Sequence, residues 1–240
     1  MSASVRLAKR VAELAGCSRS EAEQYIQGGW VRVDGQVVER PQHMVDGEAV
    51  TLDPAATLAV AEPATLLFHK PAGLDAFAQS DAAARAISAD TRWDEDASGM
   101  RLLQRHFHRL TPLAPLETDA SGLIVLTQDG RVWRRLTEDL DGIEQEFVVE
   151  VTGTLPIYGL GRLKHGLQFD GRPVPPCKVS WQNETRLRFA IKGVRPGQLR
   201  DVCAQVGLGV VSIRRLRIGR IALSKMPVGA WRYLPVDERF

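Results

Sequence analysis

"LAPLETDASGLIVLTQDG", residues 113–130, decides how the rest of the chain is read. From Gly122 to Thr127 it is an apolar run of strand length, and it ends in the polar turn Gln128-Asp129-Gly130, the pattern of a buried β-strand. The small pair Ser121-Gly122 opens that strand. Just before it stand two carboxylates, Glu117 and Asp119, which no turn or helix signal employs. Acids without structural work at the mouth of a buried strand are candidates for chemistry.

Further β runs lie on both sides: "TLLFHK" (65–70), "EFVVEVTG" (146–153), "RLRFAIKG" (186–193) and "VVSIRRLRIGRIAL" (210–223). Helical stretches are expected near 78–88, 100–108, 131–138 and 198–206. Strands outnumber helices and do not alternate with them regularly, which predicts an α+β fold on a mixed, mainly antiparallel sheet.

The N-terminus is organised differently. "VRLAKRVAELA" (5–15) places Val5, Leu7, Val11, Leu14 and Ala15 roughly on one helical face, and Gly16 ends that helix. Ser18, with Glu21 three residues on, has the spacing of a capping box at the start of a second helix that runs to Gly28-Gly29. "WVRVDGQVVE" (30–39) then reads as two short strands joined at Asp34-Gly35, a hairpin turn, and "EAVTL" (48–52) as a further strand. The boundaries follow: a small module over 1–53, an Ala/Pro-rich linker over 54–64, and a larger domain over 65–240. The module is too small for a large core, so it reads as a binding attachment.

Composition fits a globular chain: 240 residues, 44% hydrophobic and 25% charged. No apolar run approaches the length of a membrane span, and no secretory core follows the basic N-terminus, so a cytoplasmic protein is expected. The three cysteines, Cys17, Cys177 and Cys203, are far apart and suggest neither a disulfide framework nor a zinc site. The net charge of +2 is unevenly spread: residues 186–240 hold twelve Lys/Arg against three acids. That asymmetry suggests a polyanionic partner.

In order, length and residue placement, "RLAKRVAELAGCSRSEAEQYIQGGWVRVDGQVV" (6–38) resembles the S4 RNA-binding domain, continuously over residues 5–52. The resemblance implies an RNA-binding face made by Arg6, Lys9 and Arg10 of the first helix and Ser18, Arg19 and Ser20 at the start of the second, extended by Arg32 on the hairpin. Cations beside free helix amides suit phosphate.

The larger domain resembles the bacterial pseudouridine synthases of the RsuA/RluB/RluF type. Three stretches carry the likeness, in the family's order. "LLFHKPAGL" (66–74) is similar to its K-P-x-G turn and adds Lys70 to the RNA-binding set. The opening stretch is similar to the active-site motif G-R-L-D-x-D-S/T-x-G-L. "KGVRPGQLRDVCAQVGLGVVSIRRLRIGRIALSKMPVGAWRYL" (192–234) is similar to the C-terminal Q-I/V-R and L-x-R-x-R-I-G segments. The family's catalytic Asp lies five residues before the glycine of its motif, and that position is Glu117. Asp119 falls on the family's second acid. Pro115 stands for the family's Arg, Ala114 for its Gly or His, and Pro196-Gly197 for Asn-Arg. Phe147 takes the Tyr position, as in other branches of these enzymes.

The resemblance therefore implies a uridine-to-pseudouridine isomerase on structured RNA, ribosomal RNA first and transfer RNA second. In that reading Glu117 is the acid, Arg200 its ion-pair partner, Leu199 packs on the base and Phe147 stacks on it. No cofactor or metal is implied, and a monomer is expected. The alternative is a paralogue that binds RNA without modifying it. Residues 75–109 follow no family pattern.

Overall fold

The computed structural model of the chain describes residues 4–58, 62–78 and 82–240. It divides into two compact units, Met1–Pro63 with Arg101–His106, and Ala64–Met100 with Phe107–Phe240.

In the first unit β1 (Val5–Arg6) leads into α1 (Leu7–Ala15) and α2 (Arg19–Gln27). The strands β2 (Val31–Val33), β3 (Gln36–Val37), β4 (Met44–Val45) and β5 (Val50–Leu52) follow, with β2 between β3 and β5. Ser18 and Glu21 form the capping box that their spacing predicts. Asp34 (φ 49) and Gly35 (φ 81) turn the β2–β3 hairpin, both with the positive φ that a two-residue turn of the right twist needs. Leu7, Ala8 and Val11 pack against Ala22, Ile26 and Val31. Leu14 was expected on that face, but it is 50% exposed. It stands in the last turn of α1, past the end of this small core.

Arg101–His106 joins this unit from far along the chain. The Arg101 guanidinium lies 4.0 Å from the Trp30 ring centre and 3.5 Å from Asp53. Glu39 accepts from the backbone amides of Gln104 (2.7 Å) and Arg105 (3.3 Å). Leu103 rests on Gly29, where a Cβ would come within 2.6 Å of its Cδ2. The helix expected near 100–108 is reduced to a 3₁₀ turn at Gln104–Phe107. Amides given to Glu39 are not free to continue a longer helix.

The second unit begins with β6 (Thr65–Lys70). Of the helix expected near 78–88, only α3 (Ala82–Arg85) is seen; residues 79–81 lie outside the described residues. Next come β7 (Thr111–Leu113), β8 (Ser121–Thr127), α4 (Gly130–Glu138) and β9 (Gln145–Thr152). Then follow α5 (Gly159–Lys164), the hairpin of β10 (Gln168–Phe169) and β11 (Arg172–Pro173), β12 (Lys178–Trp181) and β13 (Arg186–Ile191). The chain closes with α6 (Gln198–Gln205), β14 (Gly209–Ile218), β15 (Ile221–Ala222) and β16 (Trp231–Tyr233).

These strands make the mixed, mainly antiparallel sheet that the irregular succession of strands and helices predicts, in the order β12-β13-β9-β14-β8-β6-β16 with β15 and β7 at its side. Within it β14 runs parallel to β8, where Arg214 pairs with Ser121 and Arg215 with Gly122. Along β9 the period-two rule turns Phe147, Val149 and Val151 into a core with Leu199 and Val202 of α6. Leu116 and Ala120 enter the same core, so the loop between β7 and β8 is packed against α6.

Candidate active site

The loop from Ala114 to Ala120 leaves β7 abruptly. Ala114 has φ 57, a left-handed conformation that costs a non-glycine residue about 1–2 kcal/mol. Pro115 follows with its own φ locked. Arg215 accounts for this turn. Its guanidinium donates to the carbonyls of Ala114 (2.6 Å), Pro115 (3.0 Å) and Leu123 (2.7 Å), and to Gln145 Oε1 (3.1 Å). Further along, the Thr118 carbonyl accepts from Lys70 Nζ at 2.9 Å and from the Gly73 amide at 2.7 Å.

Held in this way, the loop presents Glu117 to the start of α6. Glu117 Oε1 accepts from the Gly197 amide at 2.8 Å, and Oε2 accepts from Arg200 Nε at 2.9 Å. Arg200 Nη2 reaches on to Asp119 at 2.5 Å. Gly197 has φ 83, which turns its amide toward the acid just before the first residue of the helix. A carboxylate there also gains from the α6 dipole. The departure at Pro196-Gly197 thus has a physical use: glycine adopts this conformation without strain. Burial works against the charge of Arg200, but the hydrogen bond and charges of Glu117 and Asp119 outweigh it, and the guanidinium is held above its ordinary range. The cluster can keep a carboxylate in one orientation while its outer edge stays open, for Glu117 is 21% and Asp119 65% exposed.

Glu117 and Arg200 are therefore brought together as the sequence reading has them. Other residues differ. Lys70 was grouped with the RNA-binding cations, but its side chain is fully buried and its ammonium donates to the carbonyls of Pro71, Leu74 and Thr118. It braces the acid loop and offers nothing to a phosphate. Burial pulls its ammonium below the ordinary lysine range, with Asp119 and Asp75 acting the other way. Phe147 and Leu199 are each only 3% exposed and belong to the core beneath the loop. In this conformation neither offers a free face to a base. The reason is the inward alternation of β9 and the buried side of α6.

In the first unit Arg6, Lys9, Arg10, Arg19, Ser20 and Arg32 are exposed, as a binding face requires. Lys9 and Arg10 lie 4.0 and 3.9 Å from Glu13, and Arg19 lies 3.4 Å from Glu23. Ser18 is also exposed but serves its own helix: its hydroxyl accepts from the Glu21 amide, and its amide donates to Glu21. The Glu21 carboxylate occupies part of the place assigned to phosphate. Arg32 donates to the Gly35 carbonyl at 3.1 Å across its hairpin.

Sequence reasoning missed Arg215 and the Gly197 amide. The first had a signal: strict alternation puts Arg215 on the same face as the core residue Ile213. The second, a backbone donor, had none.

The S4 domain family matches residues 5–50. Over 237 residues the chain is 27% identical to the dual-specificity RNA pseudouridine synthase RluF of Escherichia coli (strain K12), covering 98% of this chain and 77% of that protein. It is 26% identical over 238 residues to an uncharacterized RNA pseudouridine synthase of Aquifex aeolicus, covering 98% and 94%. Among solved structures, a pseudouridylate synthase superposes with a TM-score of 0.60 at 21% identity, covering 96% of each chain, which establishes a common fold. With the S4 module in front and these likenesses over nearly the whole length, the chain is similar from end to end to RNA pseudouridine synthases of the RluF type.

Proposed function

We propose that this protein isomerises a uridine to pseudouridine in structured RNA, with Glu117 as the reacting acid. The observation that carries the reading is the double hold on the Glu117 carboxylate, by the Gly197 amide and by Arg200, on a loop whose backbone is tied down on both sides of it. Pre-set orientation of this kind is what a reacting carboxylate needs. In the reaction the glycosidic bond from the ribose to N1 breaks, the uracil turns, and a bond forms from the ribose to C5. The carboxylate assists as nucleophile or base, and the product has the composition of the substrate. The target uridine leaves its stack to reach the acid. We assign the exposed cations of the S4 module to phosphate contacts, and take ribosomal RNA as the substrate and a cytoplasmic monomer as the working form.

One observation favours a second reading. The enclosure of Phe147 and Leu199 leaves no stacking face, as in a protein that binds RNA without modifying it. The deciding experiment uses purified protein on ribosomal RNA lacking modification, with pseudouridine scored site by site. Pseudouridine at a defined uridine with wild type, and none with Glu117→Ala, is the expected result. A silent wild type that still binds RNA would establish the second reading.

A further inference from the structure

The site described above leaves one large buried charge without an assigned part in the reaction. Arg215 is 1% exposed, and every acceptor of its guanidinium is neutral: three backbone carbonyls and one carboxamide. Burial pulls it down to about 9, which leaves it charged at neutral pH. An arginine kept only to balance charge is given a carboxylate. This one is given backbone.

The backbone it holds is that of the acid loop, at both ends. At the leading end are the carbonyls of Ala114 and Pro115, turned inward by the left-handed φ of Ala114. Without this donor the carbonyl of the buried Ala114 would be left unpaired. At the trailing end Arg215 Nε holds the Leu123 carbonyl, and the main chain of Arg215 pairs with Gly122. That approach is so close that a Cβ on Gly122 would lie 2.3 Å from the Arg215 carbonyl oxygen and 2.5 Å from its nitrogen. One residue therefore closes the loop on itself, with Glu117 between the two ends. Gln145, the fourth acceptor, sits on β9 two residues from Phe147, whose ring centre is 6.0 Å from the guanidinium carbon.

We infer that Arg215 is a positioning residue for chemistry at Glu117: by holding both ends of the loop through neutral acceptors, it places the carboxylate where the Gly197 amide and Arg200 bind it together. The inference rests on the reading of Glu117 as the reacting acid. Arg200 touches the acid; Arg215 acts on it through the main chain alone. Lysine cannot replace it, because one ammonium group cannot span acceptors on both ends of the loop.

The test uses the full-length ¹⁵N-labelled protein and variants Arg215→Lys and Arg215→Met. The Gly197 amide and the Arg200 Nε–H report the bonds to Glu117, and Glu117→Ala marks their unbonded positions. Amides of Val149 and Phe189 report the core. In a folded Arg215 variant both site resonances move at least halfway to the Glu117→Ala positions while the core amides stay. In the same variant, pseudouridine formation at saturating RNA falls tenfold or more, with RNA affinity changed less than twofold. Site resonances that keep their wild-type positions in a folded variant overturn the inference. If neither variant folds, hydrogen exchange of the wild type decides: the Arg215 Nε–H and the Gly197 amide open with the same denaturant dependence, and independent opening of Gly197 refutes the coupling. A wild type that makes no pseudouridine overturns the proposed reaction, while the resonances still decide whether Arg215 positions Glu117.

Discussion

Replacing Glu117 with aspartate restores the residue that the family motif carries, and by sequence alone it is a gain of function. The structure reverses the sign. Removing one methylene draws the carboxylate back by about 1.5 Å. The loop cannot follow, because its carbonyls at Ala114, Pro115 and Thr118 are bound to Arg215 and Lys70. Contacts of 2.8 Å to Gly197 and 2.9 Å to Arg200 then stretch to about 4 Å, beyond hydrogen-bond range. Charged hydrogen bonds contribute about 1.5–3 kcal/mol each when buried. Arg200 is 30% exposed and the acid 21%, so solvent screening reduces the expected loss to about 1–2 kcal/mol in total. A misplacement of roughly 1 Å also costs on the order of a hundredfold in rate. Urea unfolding measures the first quantity, and single-turnover pseudouridine formation on unmodified ribosomal RNA the second. A Glu117→Asp variant that works as fast as wild type with an unchanged unfolding midpoint would refute the reasoning, since the loop would then be free to move with the acid.

Three further outcomes are expected. Gly122→Ala sets a methyl into the Arg215 backbone at φ 118, and unfolding in urea will show a loss of about 3 kcal/mol or more; a loss under 1 kcal/mol would mean that β8 and β14 separate easily. Leu103→Ala removes the side chain that rests on Gly29, and hydrogen exchange of the Val31–Val33 amides will report the first unit weakened by about 2–4 kcal/mol; unchanged exchange would show that the 101–106 segment adds nothing. His106 is held down to about 4 by burial and by the charge of Arg105, against 6.5 for the unfolded chain. The unfolded chain thus takes up the proton first, so this contribution is present above pH 6.5 and is lost as the pH falls from 6.5 toward 4. A His106→Gln variant flattens the stability profile in that window, and an identical profile would rule out His106 as its source.

Most of the framework was legible because it rests on local rules. The Asp34-Gly35 turn, the Ser18/Glu21 box and the strands β6, β8, β9, β13 and β14 all appear where period and turn chemistry put them. The β10–β11 hairpin, α5, β12 and β16 were not read: each is short, and Gly159, Pro173 and the Pro175-Pro176 pair blur the pattern of the first three. At the site, Glu117 and Arg200 could be found because motif spacing carries them. Lys70 enters the RNA-binding set through its K-P-x-G motif, and only tertiary structure reveals the three carbonyls around it. Phe147 and Leu199 are assigned to the uridine base by the resemblance, and their enclosure, which depends on strands and a helix far apart in the chain, is not legible in the sequence.

The placement of Arg101–His106 has a consequence for how this protein can be divided. The chain leaves its first unit after Pro63, builds part of the second, returns for a few residues, and departs again. The RNA-binding module is therefore not a bead on a string. A fragment cut anywhere in the Ala/Pro-rich stretch keeps Trp30, Gly29 and Glu39 but strips away the residues that cover them. Exchange of such modules between proteins by a single crossover would deliver an unfinished one. Two breakpoints, made together, are the least that would move it whole.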